Sequence, residues 1–181
     1  MIIGFSGKKG VGKTSASNYI ARVYGFQPKS FATPLRDMAK GLFGFKDSDF
    51  DVNNKEKPYL YYDWCPREFM VNLGQFLRYH DAEYWVKRVG LDKIYDYSID
   101  DVRFKNEAEH IKKMGGIIIR IDRYMNLNPY HNSQMASDVS ETDLDDYKEF
   151  DYRISEPRNV DLEDLQNECA KIMRTLGRKK L

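Results

Sequence analysis

Cysteine is nearly absent, with two residues in 181. Cys65 and Cys169 lie far apart and in no metal-binding or redox spacing, which excludes a disulfide framework and a thiolate metal site. That usage is the pattern of a reduced, cytosolic chain. No run of about 18 or more apolar residues occurs, so no bilayer span is expected. The opening run, Met-Ile-Ile-Gly-Phe-Ser-Gly, has no positive segment followed by a long apolar stretch, so it does not read as a signal peptide. Excess charge is missing too: 29 Lys+Arg stand against 28 Asp+Glu, for a formal net charge of +1. That balance excludes a nucleic-acid or membrane-surface binder working by bulk charge. Internal repeats and low-complexity blocks are also missing. What is present is 41% hydrophobic and 31% charged residues, enough for a packed core and against disorder. The length suits a single domain over residues 1–181. Thirteen tyrosines fit either surface stacking sites or a polar-tipped core.

Apolar runs alternate with helical periodicity. A short apolar strand through Phe5 meets a glycine-rich turn, and Ala16, Ile20 and Val23 then recur at helix spacing. A second strand is expected at 30–32, followed by a helix from Pro34 to about Phe43 with Thr33 as N-cap. Residues 46–64 read as surface loop and short helix. Pro66 to Leu77 reads as helix, and Asp81 can cap another through about Tyr95. Tyr97 to Val102 is a strand. Phe104, Ala108 and Ile111 mark a helix face that Gly115-Gly116 stops. The run Ile117-Ile118-Ile119-Arg120-Ile121 is a strand covered on both faces. The polar stretch 123–149 is long for a connection and reads as a mobile lid. A last strand at 150–154 and an amphipathic helix from Leu162 to Leu176 complete the chain. The expected fold is α/β, with a mostly parallel sheet flanked by helices in three layers.

Gly7-Lys8-Lys9-Gly10-Val11-Gly12-Lys13-Thr14 fits G-x-x-x-x-G-K-[ST] between a strand and a helix start. Average residue usage puts a chance match in a chain this long below about 1%. Gly10 and Gly12 let the backbone turn its N–H groups onto a polyphosphate, and the following helix adds its positive end. Lys13 can reach the β- and γ-phosphates, the Thr14 hydroxyl can ligate Mg²⁺, and Ser15 follows in the same first turn. Asp100 and Asp101 end the next strand, where ligands gather in open α/β sheets. Two readings stand for them: a carboxylate for Mg²⁺, with Asp101 the chosen ligand, or an N-cap for the next helix. Asn54-Lys55-Glu56-Lys57 lacks the aspartate of a guanine-reading N-K-x-D, so a switch GTPase is not expected.

Beyond the glycine-rich loop, several stretches in order resemble the phage-type deoxynucleoside monophosphate kinases. They are Ser30-Phe31-Ala32-Thr33-Pro34-Leu35-Arg36, Leu73-Gly74-Gln75 with Arg78, Tyr84-Trp85-Val86, and Asp101-Val102-Arg103-Phe104-Lys105-Asn106-Glu107-Ala108. After these come Gly115-Gly116, Ser140-Glu141 and Phe150-Asp151, so the resemblance covers nearly the whole chain. Relatives often carry Pro at the position of Lys105, and some carry Asp where this chain has Thr14. The resemblance implies a P-loop kinase fold and transfer of the ATP γ-phosphoryl to a deoxynucleoside monophosphate, with Mg²⁺ as cofactor. It implies Lys9 beside the acceptor phosphate, Arg36 binding that phosphate, and Arg103 near the transferring group. It places acceptor binding in a helical part, 34–95, and a closing arginine, Arg120 or Arg123, at the base of the lid, with Arg123 assigned to ATP. Nucleic acid and membrane are not among the implied partners. The resemblance leans towards a homodimer and a cytoplasmic setting, the host cytoplasm for a phage enzyme.

Each of these residues also has a plainer reading. Arg36 and Arg78 could be exposed helix residues in weak surface pairs. Trp85 fits a base platform or helix core. Gln75 fits a base-edge contact or a surface position, and Glu107 fits a sugar ligand or a pair within its helix. Ser140-Glu141 could be a lid element or part of a solvated acidic run. His80, His110 and His131 have no metal spacing. Two other functions remain open: a P-loop kinase for another small acceptor, such as dephospho-coenzyme A or a sugar acid, and a nucleotide-binding partner without transfer activity.

Overall fold

The computed structural model describes residues 1–51, 53–123, 138–156 and 161–181. The chain divides into two units, Met1–Ser30 with Leu91–Leu181, and Phe31–Gly90.

The first unit is built on five strands: β1 (Ile2–Ser6), β2 (Gln27–Lys29), β3 (Tyr97–Val102), β4 (Ile117–Arg123) and β5 (Tyr152–Glu156). Their order is β2-β3-β1-β4-β5, and all four pairings are parallel. Side chains alternate across a strand, so Ile3 and Phe5 face one way and Gly4 the other. Ile3, Phe5, Ile119, Ile121 and Ile154 pack under α1 (Lys13–Tyr24) and α7 (Leu162–Thr175). On the opposite face α5 (Lys105–Lys113) lies against β1 and β4. A Cβ at Gly4 would come within 2.8 Å of both Ile111 and Val102, so the lack of a side chain there sets the closeness of that helix. Helices therefore cover both faces of a parallel sheet, which is the expected three-layer arrangement. Ser17 on α1 and Ser98 on β3, both buried, join their hydroxyls at 2.8 Å. No described helix is long and apolar enough to cross a membrane.

The second unit holds α2 (Thr33–Phe43), a 3₁₀ turn over Asp47–Phe50, α3 (Pro66–His80) and α4 (Tyr84–Arg88). Its aromatic side chains form a cluster around buried Phe45 that reaches the surface. Phe43 meets Phe69 at 4.5 Å between ring centroids, Phe45 meets Tyr59 at 4.3 Å, and Tyr62 stacks on Trp64 at 4.5 Å. The tyrosine excess divides: Tyr19, Tyr24, Tyr97 and Tyr147 are buried, whereas Tyr62 is exposed and Tyr61 is 99% exposed.

Four boundaries differ from the sequence reading. The second strand lies at Gln27–Lys29 instead of 30–32. It is a short edge strand containing Pro28, which gives no apolar alternation to detect. Thr33 is the first residue of α2 and Ala32 its cap, with Pro34 in the first turn. The helix expected from Asp81 to Tyr95 is five residues long, because Gly90 adopts φ 64° and turns the chain away. The last strand begins at Tyr152, two residues beyond Phe150. Of the stretch expected as a lid, 124–137 lies outside the described residues, as does His131. Its remainder carries a short helix, α6 (Val139–Thr142).

Candidate active site

The loop between β1 and α1 is shaped by glycine. Gly7, Gly10 and Gly12 have φ of 147°, 85° and 100°, and a Cβ at Gly7 would sit 2.4 Å from the Ile121 carbonyl oxygen. Gly12 caps α1, and Lys13, Thr14 and Ser15 open its first turn. Lys13 folds back over the loop, and its Nζ donates to the carbonyls of Gly7 at 2.7 Å and Lys8 at 2.8 Å. Its side chain is buried, and burial is the main cause that lowers its pKa to about 7. The Arg103 charge lowers it further, while Glu141, Asp100 and Asp101 pull the other way.

The two aspartates divide. Gly4 pairs with Ile99 and Ser6 with Val102, so Asp100 and Asp101 together oppose the single residue Phe5. Such a bulge re-aims side chains at the end of a strand. The Thr14 hydroxyl donates to Asp100 Oδ2 at 2.7 Å, and the Ser30 hydroxyl donates to Asp101 Oδ2 at 2.6 Å. The carboxylate beside Thr14 is therefore Asp100, where the sequence reading had chosen Asp101. Neither caps α5. Phe104 holds that position, and buried Glu107 accepts the backbone N–H groups of Arg103 at 2.9 Å and Phe104 at 3.1 Å. Glu107 thus forms the turn that presents Arg103.

Arg103 Nη1 donates to Glu141 Oε1 at 2.5 Å and to the Ser140 carbonyl at 3.3 Å. Glu141 Oε2 accepts the Lys9 backbone N–H at 3.1 Å. Burial pushes the Glu141 carboxyl up, but Arg103, Lys13 and the Lys9 N–H outweigh that and hold it below the usual range. Lys8 Nζ reaches Asp145 and the Glu141 carbonyl, each at 2.6 Å. Asp100 carried a signal as half of the Asp100-Asp101 pair, Lys8 as part of the glycine-rich motif and Glu141 through the resemblance, whereas nothing in the sequence singles out Asp145 from the acidic run around it.

Arg120 is buried in β4, where Nε donates to Asp122 at 2.8 Å and the guanidinium lies 5.6 Å from the centroid of the Phe150 ring. It is a fixed part of the sheet and not a closing arginine. Arg123 ends β4, and its side chain lies outside what is described.

In the second unit, Arg36 is exposed in the first turn of α2, and its side chain makes no hydrogen bond or ion pair among the described residues. Gln75 is exposed on α3, and Arg78 is half-buried. Trp85 is 2% exposed, with Nε1 donating to the Gly74 carbonyl at 3.2 Å. It is core, and not a base platform.

No family model matches the chain. A protein of Acanthamoeba polyphaga mimivirus named "Putative deoxynucleotide monophosphate kinase" is 34% identical, in an alignment that covers 68% of this chain and 74% of that protein. Among solved structures, a dephospho-CoA kinase from Campylobacter jejuni superposes with a TM-score of 0.52 at 17% identity, covering 97% of this chain and 96% of that one. That likeness is one of fold.

Proposed function

Because the chain belongs to the deoxynucleotide monophosphate kinases, which makes it a nucleotide kinase, we propose that it moves the γ-phosphoryl of ATP to a deoxynucleoside monophosphate. The products are ADP and a deoxynucleoside diphosphate. The observation that carries this reading is the meeting of Lys13, Arg103 and the glycine-shaped loop at the carboxyl ends of β1 and β3.

The acceptor phosphate oxygen is already anionic near neutral pH, so no general base is needed. The obstacle is repulsion between two polyanions, and fixed cations answer it. Lys13 exchanges its two carbonyl partners for β- and γ-phosphate oxygens and regains a full positive charge as it does so. Loop N–H groups and the α1 N-terminus receive the remaining phosphate charge. Arg103 stabilises charge on the transferring group.

Thr14 and Asp100 present hard oxygen donors to one point, which fits Mg²⁺. Among the described residues no cluster of three or more His, Cys, Asp or Glu forms a metal cage. When bound, Mg²⁺ would neutralise phosphate charge. On the acceptor side we assign Arg36 to the monophosphate, with Lys9, Gln75 and Arg78 as further acceptor ligands. Arg123 is assigned to ATP.

The test is ADP release from purified protein with Mg·ATP and each of the four deoxynucleoside monophosphates, with dephospho-coenzyme A as a control acceptor. Turnover of at least one monophosphate above a Lys13→Ala background is expected. Turnover of none overturns the assignment.

A further inference from the structure

We propose that Glu141 is a positioning residue for phosphoryl transfer: its carboxylate fixes one edge of the Arg103 guanidinium against the phosphate loop and leaves the other edge for the transferring group. This rests on the reading of Arg103 as the cation at that group.

The Glu141 side chain is 7% exposed and has a donor on each oxygen. Oε1 takes Arg103 Nη1, and Oε2 takes the Lys9 N–H of the phosphate loop. Arg103 is held at both ends. Its backbone N–H is fixed by Glu107, and its Nη1 by Glu141 and the Ser140 carbonyl. Among the described residues, Nε and Nη2 donate to no acceptor. A guanidinium is a rigid fork, so pinning one edge fixes the direction of the other. An arginine set before reaction needs no reordering in the transition state.

The backbone segment that carries the Glu141 carboxylate is itself held. Lys8 Nζ donates to the Glu141 carbonyl, Asp138 accepts the Ser140 N–H at 2.8 Å, and the Lys105 N–H donates to Asp143 at 2.7 Å. Charge points the same way. Arg103 is close enough to disfavour a charged Lys13, and Glu141 opposes that effect. A fixed anion therefore lets two cations share one site. A mere stand-in for substrate phosphate would have to leave before the site could work, whereas this one occupies a single edge of the fork.

The test compares Glu141→Gln, Glu141→Asp, Arg103→Ala and the Glu141→Gln/Arg103→Ala double variant. Kinetics are read with ATP and the preferred monophosphate, and the Arg103 guanidinium is read by nitrogen-15 NMR. Glu141→Gln should lower kcat about 10- to 100-fold while each KM stays within about twofold. Glu141→Asp should recover part of the loss, and the double variant should be no slower than Arg103→Ala alone. In Glu141→Gln the Arg103 guanidinium signal should lose its protection from solvent exchange. An unchanged kcat, additive losses in the double variant, or tighter ATP binding in Glu141→Gln overturns the proposal. If the wild-type protein phosphorylates no monophosphate, the functional reading falls, and the NMR comparison alone decides whether Glu141 anchors Arg103: unchanged protection refutes it.

Discussion

Lys13 shows what burial does to a single cation. Its ammonium titrates near 7 in the folded protein against 10.5 for an ordinary lysine. Between those values the unfolded chain binds more protons than the folded one, so this group makes stability rise with pH. That contribution is largest above 10.5 and is lost as pH falls towards 7. Denaturant titrations of the wild type and Lys13→Met between pH 7 and 10 should therefore diverge, with the wild type gaining on the variant as pH rises. Phosphate favours the charged form, so ATP binding at pH 8 should draw in a proton. Calorimetry in buffers of different ionisation enthalpy reads that uptake, and Lys13→Met should abolish it. Arg36 has a simpler expectation. Its exposed side chain supports nothing described in the fold, so Arg36→Ala should leave the melting temperature within about a degree. The monophosphate KM should rise about 10- to 100-fold, as for loss of a charge-assisted phosphate contact, with the ATP KM nearly fixed. Equal rises in both KM values would remove Arg36 from the acceptor phosphate.

At the scale of elements, the turn from β3 into α5 joins folding to chemistry. Glu107 ties off two backbone N–H groups at the start of α5. Glu107→Ala should cost about 1–3 kcal/mol, the range for leaving buried donors unpaired, and should lower kcat through Arg103. A rise confined to the monophosphate KM would instead return Glu107 to the substrate. The other end of α5 is equally constrained, because a Cβ on Gly116 would meet Ile111 Cγ2 at 2.6 Å and the Ile2 carbonyl oxygen at 2.8 Å. Gly116→Ala should destabilise the protein by about 1–3 kcal/mol, through overpacking, with both KM values unchanged. The same elements show what a sequence reveals. The first strand, loop and helix were legible because glycine spacing and apolar periodicity agree there. The β3 strand and the α5 helix face were legible for the same reason. The second strand was not, since three edge residues around Pro28 leave no pattern. The choice between Asp100 and Asp101 was hidden because a bulge, which only pairing with β1 reveals, decides where each points. Trp85 was ambiguous because burial and base stacking ask for the same side chain.

For the whole molecule, alternating strands and helices made the parallel sheet readable, and the carboxyl ends of β1 and β3 then gather the groups that act on phosphate. Family membership and that gathering agree on a nucleotide kinase, while the choice of a deoxynucleoside monophosphate as acceptor is the part still carried by proposal. The most direct measurement follows a radiolabel placed in the γ-phosphoryl of ATP. The account predicts that the label appears in the β-phosphate of a deoxynucleoside diphosphate, only when the monophosphate is supplied and not with Lys13→Ala. Label released solely as inorganic phosphate, or at a rate indifferent to the acceptor, would contradict it.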